Sequence, residues 1–313
     1  MSALLFPGQG SQVVGMCSEF YANFQLVKKI FKEADEKLNY PITKLILEGP
    51  TEQLQLTKNT QPAILTVSYS IFRVLKDEFG FDLKLFKYFA GHSLGEYSAL
   101  VCAESLDFKD ALYLLHERGK AMQDAVPVGE GSMIAVLGLD INKVKDFIKD
   151  RNNKEDVCEI ANDNADGQVI ISGDKASVNS FQIFLKEKKI KSIPLKVSAP
   201  FHCSLMKPAA QKMKEKIDNT KFNKPLFEII NNVTAKVENE PNIIKKLLID
   251  QIFSTVKWRE SIIKMSENGV SNYIEIGPGK ALSGMVKRTV KDANCFSINS
   301  IADIKNFINE SKK

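Results

Sequence analysis

Strand-like apolar runs alternate with helical patterns along this 313-residue chain, and that alternation predicts an α/β protein with much parallel sheet. Two further observations refine the class. The stretch Gly91-His92-Ser93-Leu94-Gly95 stands between an aromatic run and a helical segment, where a sharp strand-to-helix turn would expose a serine. Residues 126–197 have a rhythm of their own, β-α-β-β-α-β, the ferredoxin-like unit. The expected architecture is a large α/β body split in sequence, 1–125 and 198–313, carrying a small ferredoxin-like insert at 126–197.

In chain order, "ALLFP" opens as a short buried strand, and helical patterns follow at Glu19–Leu38 and Gln61–Phe79. "LKLFKYF" (Leu83 to Phe89) is apolar and aromatic enough for a buried strand. Leu94 to about Cys102 has helical composition. Asp107–Ala125 sets Ala111, Leu112, Leu115 and Met122 at helical spacing. Within the insert, "SMIAVLGL", "VCEIAN", "QVIISG" and "IKSIPLKV" read as strands, and "NKVKDFIKD" and "KASVNSFQIFLKEK" as helices. Beyond Pro200 a helix is expected from His202, then strand "LFEIIN" and helices near Asn242–Ile252 and Arg259–Glu267. Strand "NYIEIG", a helix after Gly279, strand "CFSIN" and a final helix complete the chain.

A chain of this length buries roughly 75% of its unfolded surface, so a core is available without metals or disulfides. Hydrophobic residues are 44% and charged residues 26% of the total, ordinary for a globular protein. Five cysteines with no C-x-x-C read as thiols in a reducing compartment. No signal peptide, transit segment or membrane span is visible, and the expected location is the cytoplasm. The net charge of +5, with no basic block interleaved with aromatics, excludes an argument for nucleic acid. It would suit an acidic partner or simply be a mildly basic surface. Three scattered histidines and unpaired cysteine spacing offer no metal-ligand pattern. "GQGSQ" after the first strand resembles a dinucleotide loop, but Val13 occupies the third glycine position, so a glycine turn offering a backbone amide fits better.

If Ser93 is a nucleophile it needs a base. His92 adjoins it inside the turn, where successive side chains diverge, and reads as a packing residue. His116 lies mid-helix in "LLHERGK" and reads as part of a solvated face. His202, in "VSAPFHCSLMKP", lies where a strand ends and a helix begins, a place where catalytic groups collect. Elimination and position favour it. Cys203 is beside it, but Ser93 has the elbow.

Five separated stretches stand in family order and spacing: "FPGQGSQ" (Phe6 to Gln12), "GHSLGEY" (Gly91 to Tyr97), "ERGKAMQ" (Glu117 to Gln123), "PFHCSLM" (Pro200 to Met206) and "IGPGKAL" (Ile276 to Leu282). Through them nearly the whole chain resembles the malonyl-CoA:acyl carrier protein transacylases. The resemblance implies an α/β-hydrolase-like body with the ferredoxin-like insert. It implies ping-pong transfer of malonyl from coenzyme A to the phosphopantetheine thiol of acyl carrier protein, with Ser93 as nucleophile and His202 as base. No cofactor is implied, since the coenzyme A thioester is a substrate, and a monomer is expected.

The resemblance also assigns supporting roles. Gln9 and Leu94 match the oxyanion-hole amides, and Leu94 N–H sits at a helix N-terminus where free amides point outward. Gln251, which alone reads as a helix-end polar residue, matches the residue whose carbonyl orients the histidine. Arg118 matches the arginine that pairs with the free malonyl carboxylate. Without the resemblance it reads as a helix arginine pairing with Glu117 or a nearby acid. An acetyl group would leave it unpaired, which costs about 3–5 kcal/mol, or roughly 10²–10³ in selectivity. Phe201 departs from members with a small serine there and is expected to crowd a 2-methyl branch. Asn162, expected at a strand end, matches a pocket asparagine, although "NDNADG" is also ordinary turn composition. Lys280, Lys287 and Arg288 are candidate cations for an acidic carrier protein, or a solvated face. A serine thioesterase, a polyketide-type acyltransferase with another extender unit, and a non-catalytic carrier-binding module are the alternatives.

Overall fold

The computed structural model describes residues 1–151 and 157–311. Six strands form the first sheet in the order β10-β9-β1-β2-β7-β8: β1 (Ser2–Phe6), β2 (Phe86–Gly91), β7 (Glu228–Ile230), β8 (Val237–Glu238), β9 (Asn272–Ile276) and β10 (Asn294–Ile298). All neighbours pair parallel except β7 and β8. Parallel strands covered on both faces read as continuous apolar runs, and β1 shows why. Leu4 and Phe6 point into the main core with Phe89, while Ala3 and Leu5 point into a second core with Tyr88 and Trp258.

The second sheet is antiparallel, in the order β4-β5-β3-β6, built from β3 (Gly131–Leu137), β4 (Cys158–Ala165), β5 (Gln168–Asp174) and β6 (Ser192–Pro194). Helices Ile141–Lys149 and Lys175–Glu187 lie between its strands in the chain, each capped by an aspartate, Asp140 or Asp174. Ile134, Val136, Ile171, Val178 and Phe181 form the core under them. Met133, Ala135 and Ile170, alternating with these, join the main core instead.

Several expected elements differ in detail. The helix over Glu19–Leu38 is two, Ser18–Asn23 and Gln25–Leu38, because Phe24 is extended and Asn23 Nδ2 donates back to Glu19 O. The helical run expected over Gln61–Phe79 is Thr57–Arg73, ending in a π-turn at Val74–Glu78. Leu83–Leu85 is a short 3-10 turn, since Asp82 Oδ1 accepts from Lys84 N–H. The last insert strand is only Ser192–Pro194, and Leu195 and Val197 turn toward a pocket. The helix expected from His202 begins at Lys207, after a 3-10 turn at Ser204–Met206. Ser204 N–H and Oγ are engaged by the Glu159 carboxylate, and His202 itself has φ +58°. Helices Ile42–Glu48 and Thr51–Leu54 and strand β8 were not anticipated.

Candidate active site

Strand β2 ends at Gly91 and a helix starts at Gly95 (Gly95–Cys102), leaving Ser93 at the apex with φ +52°. A Cβ on Gly91 would stand 1.9 Å from the Gly95 carbonyl, and one on Gly95 would stand 2.2 Å from Phe6 O. Both positions therefore require glycine. A non-glycine residue in the left-handed region costs on the order of 1–3 kcal/mol. Here it is held by Ser93 N–H donating to Asn232 Oδ1 at 2.7 Å.

His202 Nε2 lies 2.8 Å from Ser93 Oγ, although 109 residues separate them. Its Nδ1 lies 2.8 Å from the Gln251 carbonyl oxygen. A carbonyl only accepts, so Nδ1 carries the hydrogen and Nε2 presents its lone pair to the serine. Burial, and then the nearby Arg118 charge, lower the imidazole from its usual 6.5 to about 3. It is neutral near pH 7 and able to take a proton.

Arg118 sits on helix Phe108–Asp124 at 1% exposure. Its Nη1 donates to Gln61 Oε1 (2.8 Å), and Nη2 to Gln251 Oε1 (2.9 Å) and Ser93 Oγ (3.2 Å). Nε is buried without a hydrogen-bond partner. Its guanidinium lies 5.9 Å from the Tyr97 ring centre. The pairing with Glu117 that sequence alone suggests does not form, because Glu117 pairs with Lys120 and Lys216. No ion pair to Arg118 occurs among the described residues. The nearest acid acting on it is Glu96, pushed up to about 7 by burial against the opposing pull of Asn232 N–H, Gln251 and Arg118.

A pocket of about 290 Å³ opens over these groups, lined by Gln9, Ser93, Leu94, Arg118, Asn162, Phe201 and His202 among others. The expected catalytic, oxyanion, carboxylate-binding and pocket residues other than Gln251 therefore border one cavity; Lys280, Lys287 and Arg288 are not in its lining, and Gln251 lies directly behind it, fully buried. Asn162 is mid-strand in β4 rather than at its end. The run Asn162-Asp163-Asn164 stays extended because its polar side chains and amides are engaged: Asp163 with Arg259, Asn164 with His92, and Asp163 N–H with Val256 O. His92 is turned from Ser93 toward Asn164 and the edge of Trp258, where burial lowers its basicity. His116 is half-buried against Tyr40 on a face that is still partly exposed, with Nδ1 3.0 Å from Lys58 O. Cys203 is buried with Sγ 3.2 Å from Pro200 O, its thiol pushed up to about 11 by burial. Lys280, Lys287 and Arg288 are exposed on or beside helix Ala281–Thr289, whose first turn contributes Ala281 and Leu282 to the pocket.

Sequence reasoning passed over Gln61, Glu96, Asn164 and Asn232, all buried and all bonded to the singled-out groups. Glu96 stood in the quoted "GHSLGEY" and Asn164 in "NDNADG", where it read as turn composition; Gln61 and Asn232 carried no local pattern. Among the described residues no group of three or more His, Cys, Asp or Glu could hold a metal ion. No helix there is long and apolar enough to cross a membrane.

An elbow serine, a carbonyl-oriented histidine and a buried arginine at the mouth of this fold define an acyl transferase, and the family described as "Acyl transferase domain" matches residues 3–308. The Malonyl CoA-acyl carrier protein transacylase of Haemophilus influenzae is 44% identical over 301 residues, 96% of each chain. The crystal structure of an acyl carrier protein S-malonyltransferase from Vibrio cholerae is 42% identical with a TM-score of 0.94, covering 98% of this chain and 99% of that one. A malonyl-transacylase solved in complex with its type II PKS acyl-carrier protein is 39% identical with a TM-score of 0.95, covering 99% of each. The chain belongs to the malonyl CoA-acyl carrier protein transacylase family of acyl transferases.

Proposed function

We propose that this chain transfers malonyl from malonyl-CoA to the phosphopantetheine thiol of acyl carrier protein, supplying fatty-acid elongation. It does so as a cytoplasmic monomer, without a cofactor. The observation that carries the reading is that one serine oxygen lies 2.8 Å from a neutral imidazole nitrogen and 3.2 Å from a buried guanidinium. We also treat 126–197 as an insert in a body of 1–125 and 198–313.

Ser93 Oγ attacks the thioester carbonyl while His202 Nε2 takes its proton, a step typically worth ~10²–10⁴-fold. The amides of Gln9 and Leu94, both bordering the pocket, stabilise the oxyanion. Collapse breaks the C–S bond; the imidazolium returns the proton to the departing thiolate, leaving a malonyl ester on Ser93. The carrier thiol then gives its proton to His202 and attacks the ester in reverse. His202 is oriented by the Gln251 carbonyl where a hydrolase of this type would use an acid. Arg118 receives the free carboxylate, with its unpartnered Nε and its Nη2 offering a fork. The same pairing holds the ester in a pose hostile to water. Asn162 and Phe201 shape the pocket wall.

Intact-protein mass spectrometry tests this. Brief exposure to malonyl-CoA should add one malonyl group, lost on addition of holo carrier protein and absent from Ser93→Ala. An adduct that decays as fast in water alone would favour the thioesterase.

A further inference from the structure

A buried acid joins the separate parts of this site. Glu96, 2% exposed, lies on the first turn of helix Gly95–Cys102. Its Oε2 accepts from Asn232 N–H at 3.0 Å and from Gln251 Nε2 at 2.8 Å. Asn232 holds the elbow, with Oδ1 accepting from Ser93 N–H and Nδ2 donating to Gly91 O at 2.8 Å. Gln251 holds the other two groups: its backbone oxygen accepts from His202 Nδ1 and its Oε1 from Arg118 Nη2. Gln251 Nε2 also donates to Ser93 O at 3.1 Å.

An amide can present either end to a neighbour. Glu96 Oε2 already takes two donors, Asn232 N–H and Gln251 Nε2, so Gln251 turns Nε2 toward it and leaves Oε1 for the guanidinium. Turned over, Gln251 would set an NH₂ against the guanidinium, which has no acceptor, and its oxygen against Glu96 Oε2 and Ser93 O, leaving buried donors facing donors and acceptors facing acceptors. We propose that Glu96 is a positioning residue that, resting on the malonyl-transfer reading, orients Arg118 for the acyl carboxylate by fixing the Gln251 amide. Glu96 touches neither substrate nor reacting atoms.

Glu96→Gln is nearly isosteric and replaces one carboxyl oxygen with an NH₂ that can face Gln251 in place of the accepting oxygen, freeing Gln251 to turn. The malonyl-over-acetyl preference in kcat/KM should fall about tenfold or more, the scale of one hydrogen bond to a charged group. Glu96→Gln should add little to that preference in an Arg118→Ala background, because both changes act on one contact. Glu96→Asp, which keeps a carboxyl and has no NH₂, should keep more of the preference than Glu96→Gln. Equal losses for malonyl and acetyl, or full additivity with Arg118→Ala, would reduce Glu96 to a structural part and overturn the proposal. If Glu96→Gln does not fold, the same cycle is run with Glu96→Asp, whose shorter reach weakens the Gln251 contact, and additivity there is equally fatal. A wild type that acylates Ser93 equally with acetyl and malonyl would instead sink the malonyl-transfer reading, and the proposal with it.

Discussion

Arg118→Ala is the substitution that most sharply separates a malonyl transferase from a general serine acyltransferase. The guanidinium is 1% exposed, donates to two glutamine oxygens and to Ser93 Oγ at 3.2 Å, and has no protein partner for Nε. A malonyl carboxylate supplies an acceptor to Nε outright and replaces the long contact at Nη2. The gain is thus between one and two hydrogen bonds to a charged group, each worth about 1.5–3 kcal/mol. Taking about 3 kcal/mol for the fork, acetyl, which lacks the carboxylate, is disfavoured by roughly 10². The assay is kcat/KM for malonyl-CoA and acetyl-CoA with holo carrier protein as acceptor, in wild type and Arg118→Ala. The ratio should collapse toward unity in the variant, mainly through loss of malonyl transfer. A variant that keeps its malonyl preference would refute the pairing and the selectivity built on it.

Three further outcomes follow from the same geometry. Between about pH 3 and 6.5 the unfolded chain binds a proton that buried His202 refuses. Its contribution to stability therefore falls as pH falls, by about 1.4 kcal/mol per pH unit. Glu96, raised from 4.5 to about 7, contributes in the opposite sense, its stabilisation present below 4.5 and lost as pH rises through 7. Urea denaturation from pH 5 to 8 should show a shallower acid loss for His202→Gln than for wild type; a parallel curve would contradict the burial argument. Gly91→Ala should lose several kcal/mol, beyond the ~1–3 of ordinary overpacking, because its Cβ meets backbone at 1.9 Å; a melting point near wild type would refute the close approach. Phe201→Ser should raise methylmalonyl transfer relative to malonyl, since the ring borders the pocket at 7% exposure; an unchanged ratio would place the branch elsewhere.

What could be read from the sequence was what short-range chemistry imposes. The elbow is steric and local, so Gly91, Ser93 and Gly95 announce it. His202 emerged because only two other histidines compete, and it lies 2.8 Å from the serine. Arg118, Gln251 and Asn162 had no local signature, and the resemblance alone singled them out. Gln61, Asn164 and Asn232 escaped because a buried polar network is set by tertiary contacts, such as Ser93 to Asn232 across 139 residues. Where local reading erred, tertiary demand had overridden composition. Asn162-Asp163-Asn164 looked like a turn but stays in a strand because Arg259 and His92 satisfy its side chains. His202 looked like a helix start, but its backbone is turned to φ +58° and its ring is held by Gln251.

Ping-pong transfer requires that the acyl-enzyme form on its own, without the carrier protein. Labelled coenzyme A mixed with unlabelled malonyl-CoA and the protein, with no carrier present, measures that step alone. Label should enter the malonyl-CoA pool with wild type and not with Ser93→Ala. A protein that transfers malonyl once carrier protein is added, yet shows no exchange in its absence, would contradict a Ser93 ester intermediate.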